Sequence, residues 1–302
     1  YGPFMATILF LGGAPYQCPA IRYAKSRGHK TIVADRDPSA VGFALADRKY
    51  LTSIDECKQL LYISKKECID GVLGYATDVG TRTAAYLAEK LSLIGNQPDS
   101  VDILQNKPRL QKLCQHLQVN LTESRSFEKK TMGETEKYLV KTKLPLVIKP
   151  ALSSGSRGVS IIKTLINWKT AVDQAFSHTR NNSILIEQMV PRKGHQICGD
   201  GFVQDGKLVF ACFGDGHFDT DTKGLAPFGE SFPSSHPKRY LERAYNALNK
   251  VVSDSGITVG SLNFDIAIRP DGFPHIFDLS PRNGGNFIPD IIELFFNLSK
   301  VS

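Results

Sequence analysis

The residues best suited to chemistry in this chain are lysines, carboxylates and an arginine set at the ends of short apolar segments. Lys107 and Lys149-Pro150 each stand at an expected element end, and Ser153-Ser154-Gly155-Ser156-Arg157-Gly158-Val159 follows the second of them. Two ammonium groups and a loop rich in backbone N–H groups suit a polyphosphate. Charges and amides hold its oxygens, and small side chains permit close approach. The loop is not a Walker loop, and taken alone it also reads as a plain hairpin connection.

A second group is Asn263-Phe264-Asp265 with Phe277-Asp278-Leu279-Ser280-Pro281-Arg282-Asn283-Gly284-Gly285-Asn286. Strand alternation puts Asn263 and Asp265 on one face and Asp278 and Ser280 on one face of the next strand. If the strands pair antiparallel through a turn at 269–273, carboxylates, an amide and a hydroxyl converge. Such oxygen donors suit Mg²⁺, which takes one or two carboxylates together with phosphates and water. Arg282, just past the strand, offers a planar donor fork to phosphate or carboxylate. A third segment, Leu185-Ile186-Glu187-Gln188-Met189-Val190, reads as a strand ending in an acid; it could present backbone groups and a carboxylate to a purine edge, but by itself it is an ordinary strand end. Gly12-Gly13-Ala14 lacks the GxGxxG spacing and is followed by Pro15, so its glycines are read as making a turn.

Alternating strands and helices are expected to position these residues. The apolar run 7–11 is a buried parallel strand, followed by a helix at 19–27, a strand at 30–34, a helix at 54–65, a strand at 71–75 and a helix at 79–91. That alternation predicts a parallel, doubly wound sheet with functional loops at its carboxyl edge. Beyond Asn96-Gln97-Pro98-Asp99 the pattern changes. Helices at 105–118 and 131–142 precede strands at 146–148, 159–162 and 184–186, with a helix at 168–177 between the last two. A hairpin with Asp205-Gly206 at its turn, a polar loop at 214–235, a helix at 240–253 and strands at 261–268 and 275–279 complete the pattern.

Composition narrows the class. The chain has 302 residues, of which 41% are hydrophobic and 22% charged, and no apolar stretch is long enough to span a membrane. Its net charge of +7 suits an anionic partner, but the basic residues are scattered, so nucleotide phosphates account for the charge as well as nucleic acid does. Nucleic acid and membrane are not expected partners. The six cysteines form no CxxC pair and are read as reduced thiols of a cytoplasmic protein. His195, His217 and His236 are not spaced as metal ligands. Tyr1 to Phe4 read as an addition ahead of Met5.

Taken in order, these elements resemble the ATP-grasp superfamily over nearly the whole chain from Met5. The resemblance implies a mixed α/β and α+β fold. A Rossmann-like N-terminal domain (5–97) would be followed by a two-subdomain ATP-grasp domain, with the phosphate loop in 98–190 and the metal site in 191–302. Lys107 and Lys149 fall at the two phosphate-binding lysines, and Ser153, Ser154, Gly155 and Ser156 in the mobile phosphate loop. Glu187, Gln188, Met189 and Val190 match the adenine hinge, and Gln196 stands where a glutamate is usual near the ribose. Asp265, Asp278 and Ser280 fall on the metal positions, the last two replacing the usual Glu-x-Asn pair and so shortening one ligand. Arg282 and Lys149 are the implied catalytic residues, and Asn283, Gly284 and Gly285 the implied acceptor site. The cofactors implied are ATP and one or two Mg²⁺, with Mn²⁺ as a substitute.

Within the superfamily the closing run looks most like the carboxylate–amine ligases and the group of the carbamoyl-phosphate synthetase large subunit. The expected reaction is ADP-forming amide synthesis through an acyl phosphate, from a small carboxylate and an amine, in a protein that is a monomer or homodimer. Activation of bicarbonate or formate on the same fold is one alternative, and a catalytically weak nucleotide-binding protein is another. Many relatives continue with a further subdomain after the position of Arg282, so either a compact member or a chain lacking its C-terminal part is expected.

Overall fold

The computed structural model describes residues 5–153, 155–219, 227–285 and 287–296. Strands β1 (Thr7–Leu11), β2 (Lys30–Asp35), β3 (Arg48–Leu51) and β4 (Gly71–Leu73) form a parallel sheet in the order β3-β2-β1-β4. The apolar run of β1 is continuous because both faces are covered. Leu9 and Leu11 pack with Leu60, Ile63 and Leu87 from α2 (Cys57–Lys66) and α3 (Asp78–Leu91), whereas Phe10 packs with Ile21 and Ala24 from α1 (Cys18–Ser26). The expected doubly wound layer is present. The short, largely exposed β3 was not legible, since its sequence Arg-Lys-Tyr-Leu carries no alternation.

The glycine turn after β1 closes on itself. The N–H of Gly13 donates to Oδ2 of Asp35 at 2.8 Å and that of Ala14 to Oε1 of Gln17 at 2.9 Å, so these donors serve the turn. At the same carboxyl edge, after the neighbouring β4, Gly74 lies so close to α3 that a Cβ there would sit 2.3 Å from the amide nitrogen of Thr81. Only glycine permits that approach. Thr77 then caps α3, its side chain accepting from the N–H of Gly80, and Asp78 becomes the helix's first residue.

The helix expected at 105–118 is α5 (Lys107–His116), and an unexpected helix, α4 (Pro98–Gln105), precedes it, the two separated at Asn106, whose backbone is extended. Pro108 explains the break, because inside a continuous helix it would lack the N–H for the carbonyl of Leu104 and its ring would clash there, whereas it suits a helix's first turn. Lys107 is therefore the first residue of a new helix.

The remaining chain builds two antiparallel sheets. One, ordered β5-β8-β6-β7, holds β5 (Ser124–Glu128), β6 (Leu146–Pro150), β7 (Ser160–Ile162) and β8 (Ser183–Gln188). Helices α6 (Met132–Lys141) and α7 (Trp168–His178) pack on it through Leu139, Val172 and Phe176. The other, ordered β11-β10-β9-β12-β13, holds β9 (Gln196–Gln204), β10 (Lys207–Phe218), β11 (Pro227–Ser231), β12 (Gly260–Ile268) and β13 (Pro274–Ser280). One of its faces, with Ile197, Val203, Leu262 and Phe264, is buried against α4, α5 and α8 (Lys238–Ser255). Alternation turns Gln196, Asp200, Asn263 and Asp265 to the opposite face. In the segment expected as a polar loop at 214–235, the described residues 214–218 and 227–231 are strand, since β10 runs to Phe218 and β11 pairs with it; Asp221 and Lys223 of that loop lie outside the described residues. A short α9 (Ile288–Phe295) follows the site.

Candidate active site

The expected hairpin of β12 and β13 is present, closed at Arg269 and Phe273, and it sets Asn263 opposite Ser280 and Asp265 opposite Asp278. Two carboxylates thus face each other in register. Burial first, and then the charge of Asp278, push the carboxyl of Asp265 up to about 6. Gln196 donates from Nε2 to Oδ1 of Asp265 at 3.0 Å, a contact that an ionised glutamate in its place cannot make.

Lys107 joins three elements. Its Nζ is 2.9 Å from Oδ2 of Asp278 on β13 and 3.2 Å from the carbonyl of Ser153 in the loop after β6. Burial pulls the ammonium down, but Asp278 and the more distant Asp78 and Asp265 outweigh it, so Lys107 is held charged above its ordinary range. Across the cleft, pairing of β6 with β7 and β8 puts Val147, Lys149, Ile161 and Glu187 on one face. Nζ of Lys149 lies 2.7 Å from Oε1 of Glu187, both side chains being buried, while Oε2 of Glu187 has no hydrogen-bond partner among the described residues.

Between these walls lies a cavity of about 300 Å³. Its apolar sides include Val147, Ile161, Met189 and Phe277, and its polar end holds Lys107, Lys149, Asp265 and Asp278. Ser153, Ser156, Val190 and Gln196 line it as well. Gly155 has a left-handed backbone (φ +64) in that loop, with open space where a Cβ would be. Ser154 lies outside the described residues.

Arg282 is anchored more elaborately than its sequence position suggests. Its Nε donates to Oδ1 of Asp78 at 2.6 Å, and Nη1 donates to Oδ1 of Asn263 at 3.1 Å and to the carbonyl of Asn283 at 2.9 Å. Ser280 donates to the same Oδ1 of Asp78 at 2.7 Å and accepts from Nε2 of Gln105 at 3.1 Å. The hydroxyl expected as a metal ligand is therefore engaged away from the Asp265–Asp278 pair. Burial would raise the carboxyl of Asp78, but Arg282 and Ser280 outweigh it and hold it below its usual range.

The Asn283-Gly284-Gly285 turn is fixed by Asp200, whose carboxylate accepts from the N–H of Gly284 at 2.9 Å and from Nδ2 of Asn263 at 2.9 Å. A Cβ on Gly284 would lie 2.9 Å from that carboxylate, so a side chain there would push the carboxylate out of place. The N–H expected to meet an acceptor carboxylate is taken by Asp200, and only Asn283 and Gly285 keep that expectation without rearrangement. Asn286 lies outside the described residues.

Asp78, Gln105 and Asp200 were missed as site residues. Asp78 carried a helix-start signal alone, and its contact with Arg282 spans the whole fold. His275, fully buried behind Phe277 (rings 5.1 Å apart), was also missed. Burial, then Lys149 and Arg269, push it down to about 3, so it is neutral. His195, His217 and His236 do come together, with two rings 5.1 Å apart and Nε2 of His236 2.8 Å from the carbonyl of His195. Among the described residues no group of three or more His, Cys, Asp and Glu is placed to hold a metal, and no helix is long and apolar enough to cross a membrane.

Comparisons with known proteins agree with this architecture. The pattern of the D-ala D-ala ligase C-terminus family matches residues 113–204. The carbamoyl phosphate synthase large chain of Thermoanaerobacter pseudethanolicus is 25% identical over 269 residues, covering 85% of this chain and 24% of that one. The chain thus spans about a quarter of the length of this curated relative. Among solved structures, the L-amino acid ligase of Bacillus licheniformis superposes with TM-score 0.76 at 18% identity, covering 97% of this chain and 70% of that one. The N5-carboxyaminoimidazole synthetase of Staphylococcus aureus, complexed with ADP, superposes with TM-score 0.78 at 15% identity, covering 96% and 75%. The chain has the ATP-grasp fold, and its sequence resembles the carboxylate–amine ligases and the carbamoyl phosphate synthase large chains.

Proposed function

We propose that this chain binds Mg-ATP in the cavity between its two antiparallel sheets and uses it to join a small carboxylate to an amine. The observation that carries the reading is the shared cavity, in which one wall supplies Lys149 and Glu187 and the other Lys107, Asp265 and Asp278. The buried, unpartnered Oε2 of Glu187 is an acceptor waiting for a donor, which the exocyclic amine of adenine provides. Val147, Ile161, Met189 and Phe277 sandwich the base, and Lys107, Lys149 and the loop from Ser153 to Ser156 hold the phosphates.

The donor set fits the metal that the fold implies. Two carboxylates facing each other carry charge that no single lysine cancels, and hard oxygens with phosphate completing the shell are what Mg²⁺ takes. Asp265 and Asp278 would hold it, and when bound it supplies neutralisation of the phosphate charge. In the reaction, a substrate carboxylate oxygen bonds to the γ-phosphorus as the bond to ADP breaks. The amine nitrogen then attacks the acyl carbon, phosphate leaves, and the ammonium proton passes to solvent. Such transfer needs positioning and charge more than a general base. Lys149 and Arg282 supply that charge, and Asn283 and Gly285 border the acceptor. A cytoplasmic setting, where ATP is available, is part of the reading, and the free state of all six cysteines supports it.

Likeness to a biotin carboxylase domain complexed with MgADP and bicarbonate, and to a formate-dependent phosphoribosylglycinamide formyltransferase, favours a second reading, in which bicarbonate or formate is the acid activated. One assay separates them. ADP release is measured with Mg-ATP against pooled amino acids and small carboxylates, with hydroxylamine trapping acyl phosphate as a hydroxamate. ADP and hydroxamate that depend on an amino acid or another organic carboxylate support the ligase, ADP that depends on bicarbonate or formate supports the second reading, and the lack of ADP release with any of these acids sinks the two together.

A further inference from the structure

A second cavity, of about 160 Å³, adjoins the first and shares Lys107, Ser153, Arg157 and Asp278 with it. Its walls come from three layers of the fold: Arg82 on α3, Lys107 on α5, Arg157 in the loop after β6, and His178 and Arg180 at the end of α7. Its acids are Asp78 and Asp278, and each already carries a cation, Arg282 at 2.6 Å on the first and Lys107 at 2.9 Å on the second. The nearby Asp102 is shared between Arg82 at 3.3 Å and Arg109 at 2.8 Å. The lining therefore holds more positive charge than its acids neutralise. Burial first, and to a smaller degree the charge of Arg180, lower the affinity of Arg82 for its proton against the pull of Asp102 and Asp78. Like charges gathered in a cleft against their own repulsion are the arrangement that focuses an anion.

Resting on the ligase reading above, we propose that this cavity is a substrate subsite for a second anionic group. The substrate is an acid bearing a further carboxylate or a phosphate in addition to the carboxylate that is activated. Because the cavity shares Lys107, Ser153, Arg157 and Asp278 with the one assigned to Mg-ATP, it adjoins the place of phosphoryl transfer; Arg82 and Arg180, which line this cavity and not the first, receive the second charge. Guanidinium groups suit that task because their fork pairs with either oxyanion in a planar, two-bond geometry. The volume accommodates a group of several heavy atoms, taking about 30 Å³ for each water displaced.

The test is calorimetric titration with phosphoglycolate and succinate, against glycolate and butyrate as singly charged counterparts, on the wild type and on Arg180→Gln and Arg82→Gln variants. The wild type is expected to bind one of the doubly charged acids at least tenfold more tightly than its counterpart. The variants are expected to lose that preference while keeping their thermal midpoint. Preference for phosphoglycolate alone identifies phosphate as the second group, and preference for succinate alone identifies carboxylate. Equal affinity for singly and doubly charged acids, or a preference that survives both substitutions, overturns the proposal. Because binding is read without turnover, failure of the ligase assay and failure of this subsite are separate results.

Discussion

Nε of Arg282 lies 2.6 Å from Oδ1 of Asp78, a residue 204 positions earlier, at the carboxyl edge of the parallel sheet. The contact ties the arginine nearest the proposed chemistry to the N-terminal layer. Asp78 thereby positions Arg282 while Asn263 and the carbonyl of Asn283 fix its fork. Removing a charge that develops contact in the transition state costs roughly 10²–10³-fold in kcat, so Arg282→Ala is expected to lose that much ADP release. Lysine cannot reach three acceptors in one plane, and Arg282→Lys should not restore the rate. Asp78→Asn removes the orienting charge only, and roughly a 10–100-fold loss in kcat with KM for ATP unchanged is expected, on the scale of losing an orienting partner. A wild-type rate in Arg282→Ala removes Arg282 from the mechanism.

The buried pair Lys149–Glu187 is a stability element as well as a ligand site. Deleting one member of a buried pair leaves the other's charge uncompensated, at a cost of about 3–5 kcal/mol. Lys149→Met is expected to lower the urea-unfolding free energy by that order, and Lys149→Met with Glu187→Leu to regain most of it, since an apolar pair fills the same space. Both variants should bind ATP poorly. If the single and double variants unfold alike, the two charges are not coupled.

Legibility in the sequence followed the range of the interactions. The strand alternation of β12 and β13 is local, so the facing of Asp265 and Asp278 could be read from spacing, and the apolar run of β1 announced a covered parallel strand. Lys107 and Lys149 were legible as charges at element ends. Asp78 was not, because its partner lies in another layer, and neither was the engagement of Gly284 by Asp200, which depends on β9 lying beside β12. The strand β11 escaped because its pairing with β10 supplies what Pro-Phe-Gly-Glu-Ser lacks in pattern.

Glu230, on β11 opposite Gly216, is a second acid held against its preference. Burial, and then the charges of Asp265 and Asp200, push its carboxyl up to about 7, and its Oε2 has no partner among the described residues. Its folded pKa exceeds the unfolded value of 4.5, so the native state binds the proton more tightly. Stability from this group is full below the unfolded pKa and is lost as pH rises to the folded one. Unfolding free energy should therefore fall between about pH 4.5 and 7, by at most about 1.4 kcal/mol per pH unit for one group. Glu230→Gln should flatten that limb, and denaturant titrations at stepped pH measure it. An unchanged slope assigns the titration to other carboxylates.

The facing carboxylates Asp265 and Asp278 predict how nucleotide and metal act together. Without a cation the pair repels, and Asp265→Asn relieves that repulsion, so the variant alone should be at least as stable as the wild type. Mg-ADP reverses the order. A ligand at a hundredfold excess over its Kd stabilises the native state by about 2.7 kcal/mol, which raises the thermal midpoint by several degrees in a protein of this size. The wild type is expected to show that rise with Mg-ADP and a smaller one with ADP and chelator. Asp265→Asn should keep the chelator value and lose most of the increment due to Mg²⁺. An equal increment in wild type and variant would move the metal off Asp265, and no increment in either would leave the carboxylate pair without the ion that its facing charges call for.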